Sequence, residues 1–265
     1  MKKKLKLPNY FGKSLFFVLK IPYYVLKGGY KLIKKNSQRR EKNNIIKKQK
    51  SIPSQYDDFE KVCVFSGDYE KWIDRLYKSE SKIGIILGAR GSGKTAFGIK
   101  FLENLYAKYK KKCFAIGFNE SELPLWIKII SDISLIENNS FVLIDEGGIL
   151  FNSRSSMSKA NKILSQLIMI SRHKNLGILF ISQNSSNLEV NILRQADFLV
   201  LKPSSLLQKE FERKIIQKIY LESEKYFDEF KEKKGITHIY SGDFRGFICN
   251  PLPSFWKENL GKSFK

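Results

Sequence analysis

The sequence predicts an α/β protein with a mostly parallel sheet and helices on both of its faces. Three observations predict it. Short apolar runs alternate with longer helical patterns from residue 61 to residue 201. A glycine-rich octapeptide, Gly88-Ala89-Arg90-Gly91-Ser92-Gly93-Lys94-Thr95, stands between an apolar run and a helical pattern. A further apolar run, Phe141-Val142-Leu143-Ile144, ends in two acids, Asp145 and Glu146. Unbroken apolar runs of this length are how strands covered on both faces read.

The elements follow in order. Val62-Cys63-Val64-Phe65 predicts a strand and residues 69–77 a helix. Ile83-Gly84-Ile85-Ile86-Leu87 is the next strand, and after the octapeptide comes a helix over 96–109. Residues 112–117 predict a strand and 122–133 a helix. The acidic strand covers 141–145. Gly147 and Gly148 then free the chain to turn sharply away into a long loop over 147–156. A helix over 158–171 leads to strands at 176–182 and 197–201. After Pro203 a charged helix is expected over 206–232, with a sparse apolar stripe of Leu207, Phe211, Ile215, Ile219, Tyr226 and Phe230. Residues 236–240 and 244–248, joined by Ser241-Gly242-Asp243, predict a β-hairpin that terminates or edges the domain. The expected organisation is a basic amphipathic segment (1–35), a flexible basic linker (36–58), a core (59–205) and an extension of helix and hairpin (206–265).

The octapeptide has the spacing of a P-loop. Its glycines let backbone N–H groups curl inward around a phosphate chain, and the helix that follows adds its positive end. Lys94 is placed to reach the outer phosphates and the Thr95 hydroxyl to ligate Mg²⁺. A glycine-rich turn without a ligand is the bland alternative. Asp145 and Glu146 stand at the end of a strand where open α/β sheets bind ligands. Asp145 is expected to hold Mg²⁺ through water and Glu146 to polarise the attacking water; simple helix capping is the alternative. Gln183, at the end of the 176–182 strand, is expected to sense the γ-phosphate or the water, unless it only caps a turn. A whole strand and helix separate the octapeptide from the acids. That order belongs to P-loop ATPases with an extra strand between the two motif strands, and it argues against kinase-type proteins.

The formal net charge is +22 over 265 residues, and its distribution is uneven. Residues 1–50 carry 16 Lys and Arg against one acid, Glu41. Within 9–35, Lys13, Lys20, Lys27 and Lys34 recur every seven residues opposite Phe16, Phe17, Leu19, Tyr23 and Leu26. Pro22 and Gly28-Gly29 interrupt that pattern. No uncharged run there reaches the ~20 residues that span a bilayer. A basic segment with an aromatic face suits an anionic membrane surface, a membrane protein or another partner, or a DNA backbone. No small-residue cleavage site follows it, which argues against a secretory signal. Cys63, Cys113 and Cys249 are scattered, and with only His173 and His238 available neither disulfides nor a zinc site is expected. A cytoplasmic protein, peripheral at most to the inner face of a membrane, is the expectation.

Ile170-Ser171-Arg172-His173-Lys174-Asn175-Leu176-Gly177, then Ile181-Ser182-Gln183-Asn184, then Ile192-Leu193-Arg194-Gln195-Ala196-Asp197, resemble the FtsK/HerA superfamily of DNA-pumping ATPases. The stretch is especially similar to the genome-packaging ATPases of membrane-containing viruses and the zonular-occludens-toxin-like ATPases of filamentous phages. The resemblance covers about residues 80–205. It implies a RecA-like core, ATP and Mg²⁺ as cofactors, a homo-oligomeric ring, commonly of six subunits, and DNA threaded through it. It places Gly88 to Thr95 on nucleotide, Thr95 and Asp145 on the metal, Glu146 as catalytic base and Gln183 as sensor. Arg172 is then the arginine finger that enters a neighbour's site, with Arg194 second; a helix-end charge meeting the dipole is the alternative for Arg172. No large N-terminal β domain and no winged-helix domain are evident. Double-stranded DNA translocation and membrane-associated protein assembly or export both remain open as the work done.

Overall fold

The computed structural model describes residues 52–78, 81–119, 123–152 and 157–256, and six isolated positions between 34 and 49. The side chains of 150–158 lie outside this description. So does nearly all of the amphipathic segment read over 1–35. The six isolated positions, Lys34, Ser37, Arg40, Asn43, Asn44 and Gln49, are helical. The chain divides into two units, Met1–Ser51 and Ile52–Lys265, and the nine strands found among the described residues lie in the second. No helix among the described residues is long and apolar enough to cross a membrane.

The strands are β1 (Glu60–Gly67), β2 (Ile83–Leu87), β3 (Lys112–Ile116), β4 (Ile127–Ile129), β5 (Ser140–Asp145), β6 (Gly177–Ile181), β7 (Phe198–Leu201), β8 (Ile236–Ser241) and β9 (Phe244–Cys249). They form one sheet in the order β1-β9-β8-β7-β2-β6-β5-β3-β4. Every pairing from β7 to β4 is parallel, while β8, β9 and β1 add on antiparallel. β6 therefore lies between the glycine-loop strand β2 and the acidic strand β5, which is the RecA-like order. The hairpin β8–β9 extends the sheet beyond β7, and β1 forms the outer edge.

The helices are α1 (Tyr69–Lys78), α2 (Lys94–Tyr109), α3 (Glu146–Asn152), α4 (Met157–Lys174), α5 (Val190–Arg194), α6 (Leu206–Phe211) and α7 (Lys214–Glu229). Strand residues alternate between two cores. Ile86, Leu143, Leu179 and Val200 pack on one face with Trp72 and Leu76 of α1 and Phe97, Phe101 and Leu105 of α2. Ile85, Val142, Ile178 and Phe180 pack on the other face with Leu164 and Leu167 of α4, Ile192 of α5 and Ile216, Ile219 and Tyr220 of α7. All five residues of β2 and of β6 are buried. That explains their unbroken apolar runs.

Lys100 and Glu103 of α2 form a fully buried pair 3.0 Å apart. Glu103 also accepts N–H bonds from Gln55 (3.1 Å) and Ser254 (3.0 Å). Asn104 exchanges two bonds with the backbone of Asp57. A buried pair is tolerated when its remaining oxygens and hydrogens are satisfied. Here Gln55, Asp57 and Ser254 are tied to α2, so residues 55–57, inside the span read as a linker, are part of its packing. Cys63, Cys113 and Cys249 are free thiols.

Three local expectations are corrected. The helix expected over 122–133 does not form across the described residues 123–133: β4 and a 3-10 turn over Ile133–Leu135 occupy the region. Pro124 supplies no N–H, and Ile127, Lys128 and Ile129 alternate inward and outward at the end of the sheet. The loop expected over 147–156 begins instead as α3 directly after β5. Gly148 serves close packing rather than a sharp turn, since a Cβ there would stand 1.7 Å from the Gly117 carbonyl oxygen. The helix expected over 206–232 breaks into α6 and α7. Glu212 turns inward at the break and accepts the Ser185 N–H at 2.8 Å. Leu207, Phe211 and Ile215 are consequently exposed, while Ile216 and Ile219 face the core.

His238 on β8 is 3% exposed and stacks on Phe247 at 4.8 Å. Its Nδ1 lies 2.8 Å from Ser223 Oγ, and that hydroxyl donates to the Ile219 carbonyl at 2.6 Å. Nδ1 is therefore the protonated nitrogen. Nε2 is buried without a hydrogen-bond partner among the described residues. Burial, helped by the nearby Arg245 charge, lowers its pKa from 6.5 to about 4. The unfolded chain thus takes up a proton near pH 6.5 that the folded chain refuses until about pH 4. Stability from this residue is lost as pH falls through that window, by roughly 3 kcal/mol in all. We expect His238→Phe to flatten the acid side of the stability profile, measured as denaturant midpoints from pH 7 to 4. Parallel profiles for the two proteins would contradict this.

Candidate nucleotide-binding site

β2 ends at Leu87 and releases the chain into the glycine-rich loop. Gly88, Gly91 and Gly93 all have positive φ (149°, 80° and 89°), which side-chain-bearing residues rarely adopt. A Cβ on Gly88 would also lie 2.6 Å from Lys202 Cβ. The loop is tied to the end of β7: Ala89 N–H donates to the Pro203 carbonyl at 2.9 Å and Lys202 N–H to the Leu87 carbonyl at 2.8 Å. Gly93 stands at the N-terminus of α2, so the first free N–H groups of that helix face the loop. This is an anion-binding concavity.

The Lys94 ammonium donates to the carbonyls of Gly88 (2.7 Å) and Ala89 (2.8 Å). Burial lowers its pKa to about 8, against the opposing pull of Asp145, Glu146 and Glu212. Thr95 Oγ1 donates to Asp145 Oδ2 at 3.3 Å. Asp145 is 6% exposed, and burial raises its pKa to about 6 against N–H bonds from Gly147 and Gly148, the Thr95 hydroxyl and the Lys94 charge. The Gly147 N–H donates to Asp145 Oδ1 at 3.0 Å at the start of α3, the capping contact weighed from the sequence. Glu146 is the first residue of α3 and is 3% exposed. Burial raises its pKa, while the Ser182 hydroxyl, the Gln183 N–H and the Asn187 side chain lower it.

The structure therefore brings together the loop 88–95, Asp145 and Glu146, and it sets Gln183 beside them. Gln183 follows the buried end of β6, its N–H bonded to Glu146, and is itself exposed. Arg172 is elsewhere. It is exposed in the last turn of α4, before β6 begins, with His173 and Lys174 in the same turn. Because β6 runs parallel to β2, Arg172 lies at the opposite end of the strands from the loop, a strand's length or roughly 17 Å away. Arg194, exposed in the last turn of α5 just before β7, lies toward that same end.

Three participants escaped sequence reading. Ser182 donates to Glu146 Oε2 at 2.5 Å. Glu212, 6% exposed, accepts from Ser185 and acts on Lys94 electrostatically. Lys202, 1% exposed, sits behind Gly88 and donates to Asn250 Oδ1 (2.6 Å), the Gly235 carbonyl (3.0 Å) and the Ile236 carbonyl (3.3 Å). Burial draws its pKa down to about 7, while three acceptors match the three ammonium hydrogens. A serine at a strand end and single charged residues after β7 carry no motif that marks them.

A partly buried hydroxyl–carboxylate pair beside an anion cradle suits a hard divalent cation that takes further oxygens from phosphates. Among the described residues no group of three or more His, Cys, Asp or Glu forms a metal cage of its own. Mg²⁺ shared between Thr95, Asp145 and a nucleotide fits that donor set.

Residues 98–201 match the family model described as zonular occludens toxin (Zot). The matched residues fall within the stretch, about 80–205, whose motifs resemble the FtsK/HerA superfamily. No curated protein matches the chain. Among solved structures, the genome packaging NTPase B204 from Sulfolobus turreted icosahedral virus 2, in complex with AMPPCP, is 16% identical over 65% of this chain and 98% of its own, with a TM-score of 0.48. The N-terminal domain of zonular occludens toxin from Neisseria meningitidis is 14% identical over 69% of this chain and 98% of its own, with a TM-score of 0.38. The pCW3 conjugation coupling protein TcpA, with ATPγS, is 14% identical over 82% and 75%, with a TM-score of 0.46.

Proposed function

We propose that this chain is an Mg²⁺-dependent ATPase that works as an oligomeric motor on double-stranded DNA, in packaging, transfer or segregation. The convergence of Lys94, Thr95, Asp145 and Glu146 at the end of β2 and β5 is the observation that carries it. In this reading Lys94 exchanges its two loop carbonyls for phosphate oxygens. The metal, when bound, neutralises charge developing on the phosphates. Glu146, held in a buried site that raises its basicity, takes a proton from water as the water oxygen bonds to the γ-phosphorus and the bridging oxygen leaves with ADP. Gln183 orients that water. Charge on the open side of the site is balanced by Arg172 of an adjacent subunit in a ring, with Arg194 second. Both lie too far along the strands to serve their own chain's site.

The basic leader, residues 1–50, is the segment we assign to DNA or an anionic membrane surface. A second reading, a membrane-associated ATPase that drives phage-like protein assembly or export, is favoured by the Zot match and by the aromatic face of that leader. Phosphate release measured with and without double-stranded DNA separates the two. A DNA motor is expected to turn over several-fold faster with DNA. An unchanged rate with DNA but a faster one with anionic vesicles would favour the second reading.

A further inference from the structure

Lys202 directly follows the apolar strand β7 and is buried, where a charge is costly unless another charge answers it. Its ammonium meets only neutral acceptors, Asn250 Oδ1 and the carbonyls of Gly235 and Ile236, and no carboxylate acts on it among the described residues. The base of the β8–β9 hairpin does not depend on that ammonium for its donors. The Gly235 carbonyl also accepts the Asn250 N–H at 3.2 Å. The Thr237 hydroxyl lies 2.8 Å from the same carbonyl and 3.1 Å from Asn250 Oδ1. The near end of the lysine faces the glycine-rich loop. A Cβ on Gly88 would stand 2.6 Å from Lys202 Cβ and 3.0 Å from its carbonyl oxygen. The far end lies 5.7 Å from the centre of the Phe97 ring, in the first turn of α2, and Phe97 N–H donates to the Gly93 carbonyl at 3.0 Å. Lys202 therefore runs behind the cradle from its first glycine to the start of its helix. An apolar side chain of similar length would fill this space without the cost of burying charge. What a lysine adds is a desolvated positive charge behind an anion site.

We propose that Lys202 is a positioning residue for the glycine-rich loop, a buried cation that braces Gly88 and the first turn of α2 from behind and favours phosphate in the cradle without touching it. The bracing runs through the backbone on both sides of the residue. Lys202 N–H donates to the Leu87 carbonyl, Ala89 N–H to the Pro203 carbonyl, and the Tyr220 hydroxyl to the Lys202 carbonyl at 3.3 Å. Asn250, the nearest acceptor of the ammonium at 2.6 Å, sets where the charge rests. The negative charge that the lysine lacks in its own surroundings is supplied by the bound phosphates, which favour its protonated form. The hairpin is thereby linked to nucleotide affinity through Asn250 and Lys202. This inference rests on the reading of the loop as an ATP site.

Lys202→Met keeps an unbranched side chain beside Gly88 and Phe97 and removes the charge. Affinity for ATP with Mg²⁺, titrated with a fluorescent analogue, is expected to weaken about tenfold, the size of one partly screened charge about 10 Å away. Turnover at saturating ATP is expected to stay within about twofold, since the charge acts on bound phosphate before and during the reaction alike. The denaturant midpoint is expected to equal or exceed that of the parent. A lysine that only held the fold would lower the midpoint and leave affinity within about twofold, and that result overturns the proposal. Asn250→Ala removes the nearest acceptor and makes no bond to the loop. It is expected to weaken ATP affinity severalfold in the parent and to add nothing beside Lys202→Met. An equal loss in both backgrounds, or none in either, overturns the proposal. Should Lys202→Met fail to fold, Asn250→Ala is read alone, and unchanged affinity overturns it. A parent protein that binds no ATP would instead overturn the reading of the loop, whatever these variants do.

Discussion

Glu146→Gln is expected to bind ATP as the parent does and to lose turnover by roughly 10²–10⁴-fold, the range of a removed general base. The substitution keeps shape and burial. The amide oxygen still accepts from Ser182 and the Gln183 N–H, so the turn after β6 keeps its geometry. What disappears is the basic lone pair. Burial at 3% exposure raises the pKa of the native carboxylate, which suits it to taking a proton from water near neutral pH, and an amide has no such capacity. Steady-state phosphate release beside equilibrium nucleotide binding checks this. Lost binding in place of lost turnover would mean that Glu146 holds the loop and not the water.

Lys94→Ala is expected to abolish measurable ATP binding. Its ammonium is the cation at the mouth of the loop, within 2.7 and 2.8 Å of two loop carbonyls and 8% exposed. Charge-assisted bonds to phosphate contribute about 1.5–3 kcal/mol each, so two of them correspond to roughly 10²–10⁴-fold in affinity. The burial that lowers its pKa to about 8 leaves it largely charged at neutral pH, and phosphate charge nearby stabilises that form further. Removing Lys94 also leaves the carbonyls of Gly88 and Ala89 without this donor, so the loop is expected to loosen. Titration with a fluorescent ATP analogue measures the loss, and affinity within tenfold of the parent would contradict it.

The parts legible in the sequence are those whose signal is local. β2, β3, β5, β6 and β7 are unbroken apolar runs bounded by polar residues, and the structure places each within about a residue of its reading. The loop 88–95 and the acids after β5 follow from residue type and order, and the RecA-like order of the sheet from the strand between them, although the helix read after that strand is β4 and a 3-10 turn. β4 was less visible because Leu-Trp-Ile-Lys-Ile-Ile is rich in apolar residues of either period, and three residues are too few to show alternation. α3 was hidden by Gly147 and Gly148, which read as a turn, whereas Gly148 lies packed against Gly117. The break between α6 and α7 depends on Glu212 meeting Ser185, 27 positions away. Ser182 on Glu146 spans 36 positions, and Lys202 meets Asn250 across 48. Such pairings arise only once the sheet has assembled, and no window of sequence holds both partners.

The central claim is that one cluster of Lys94, Thr95, Asp145 and Glu146 both holds and hydrolyses ATP. Nucleotide occupancy and phosphate release, followed side by side with Mg²⁺ and double-stranded DNA present, test it most directly on the parent, Glu146→Gln and Lys94→Ala proteins. The parent is expected to bind and release phosphate, Glu146→Gln to bind without release, and Lys94→Ala to do neither. A parent that binds ATP but releases no phosphate, or a Glu146→Gln protein that releases it at the parent's rate, would contradict the account.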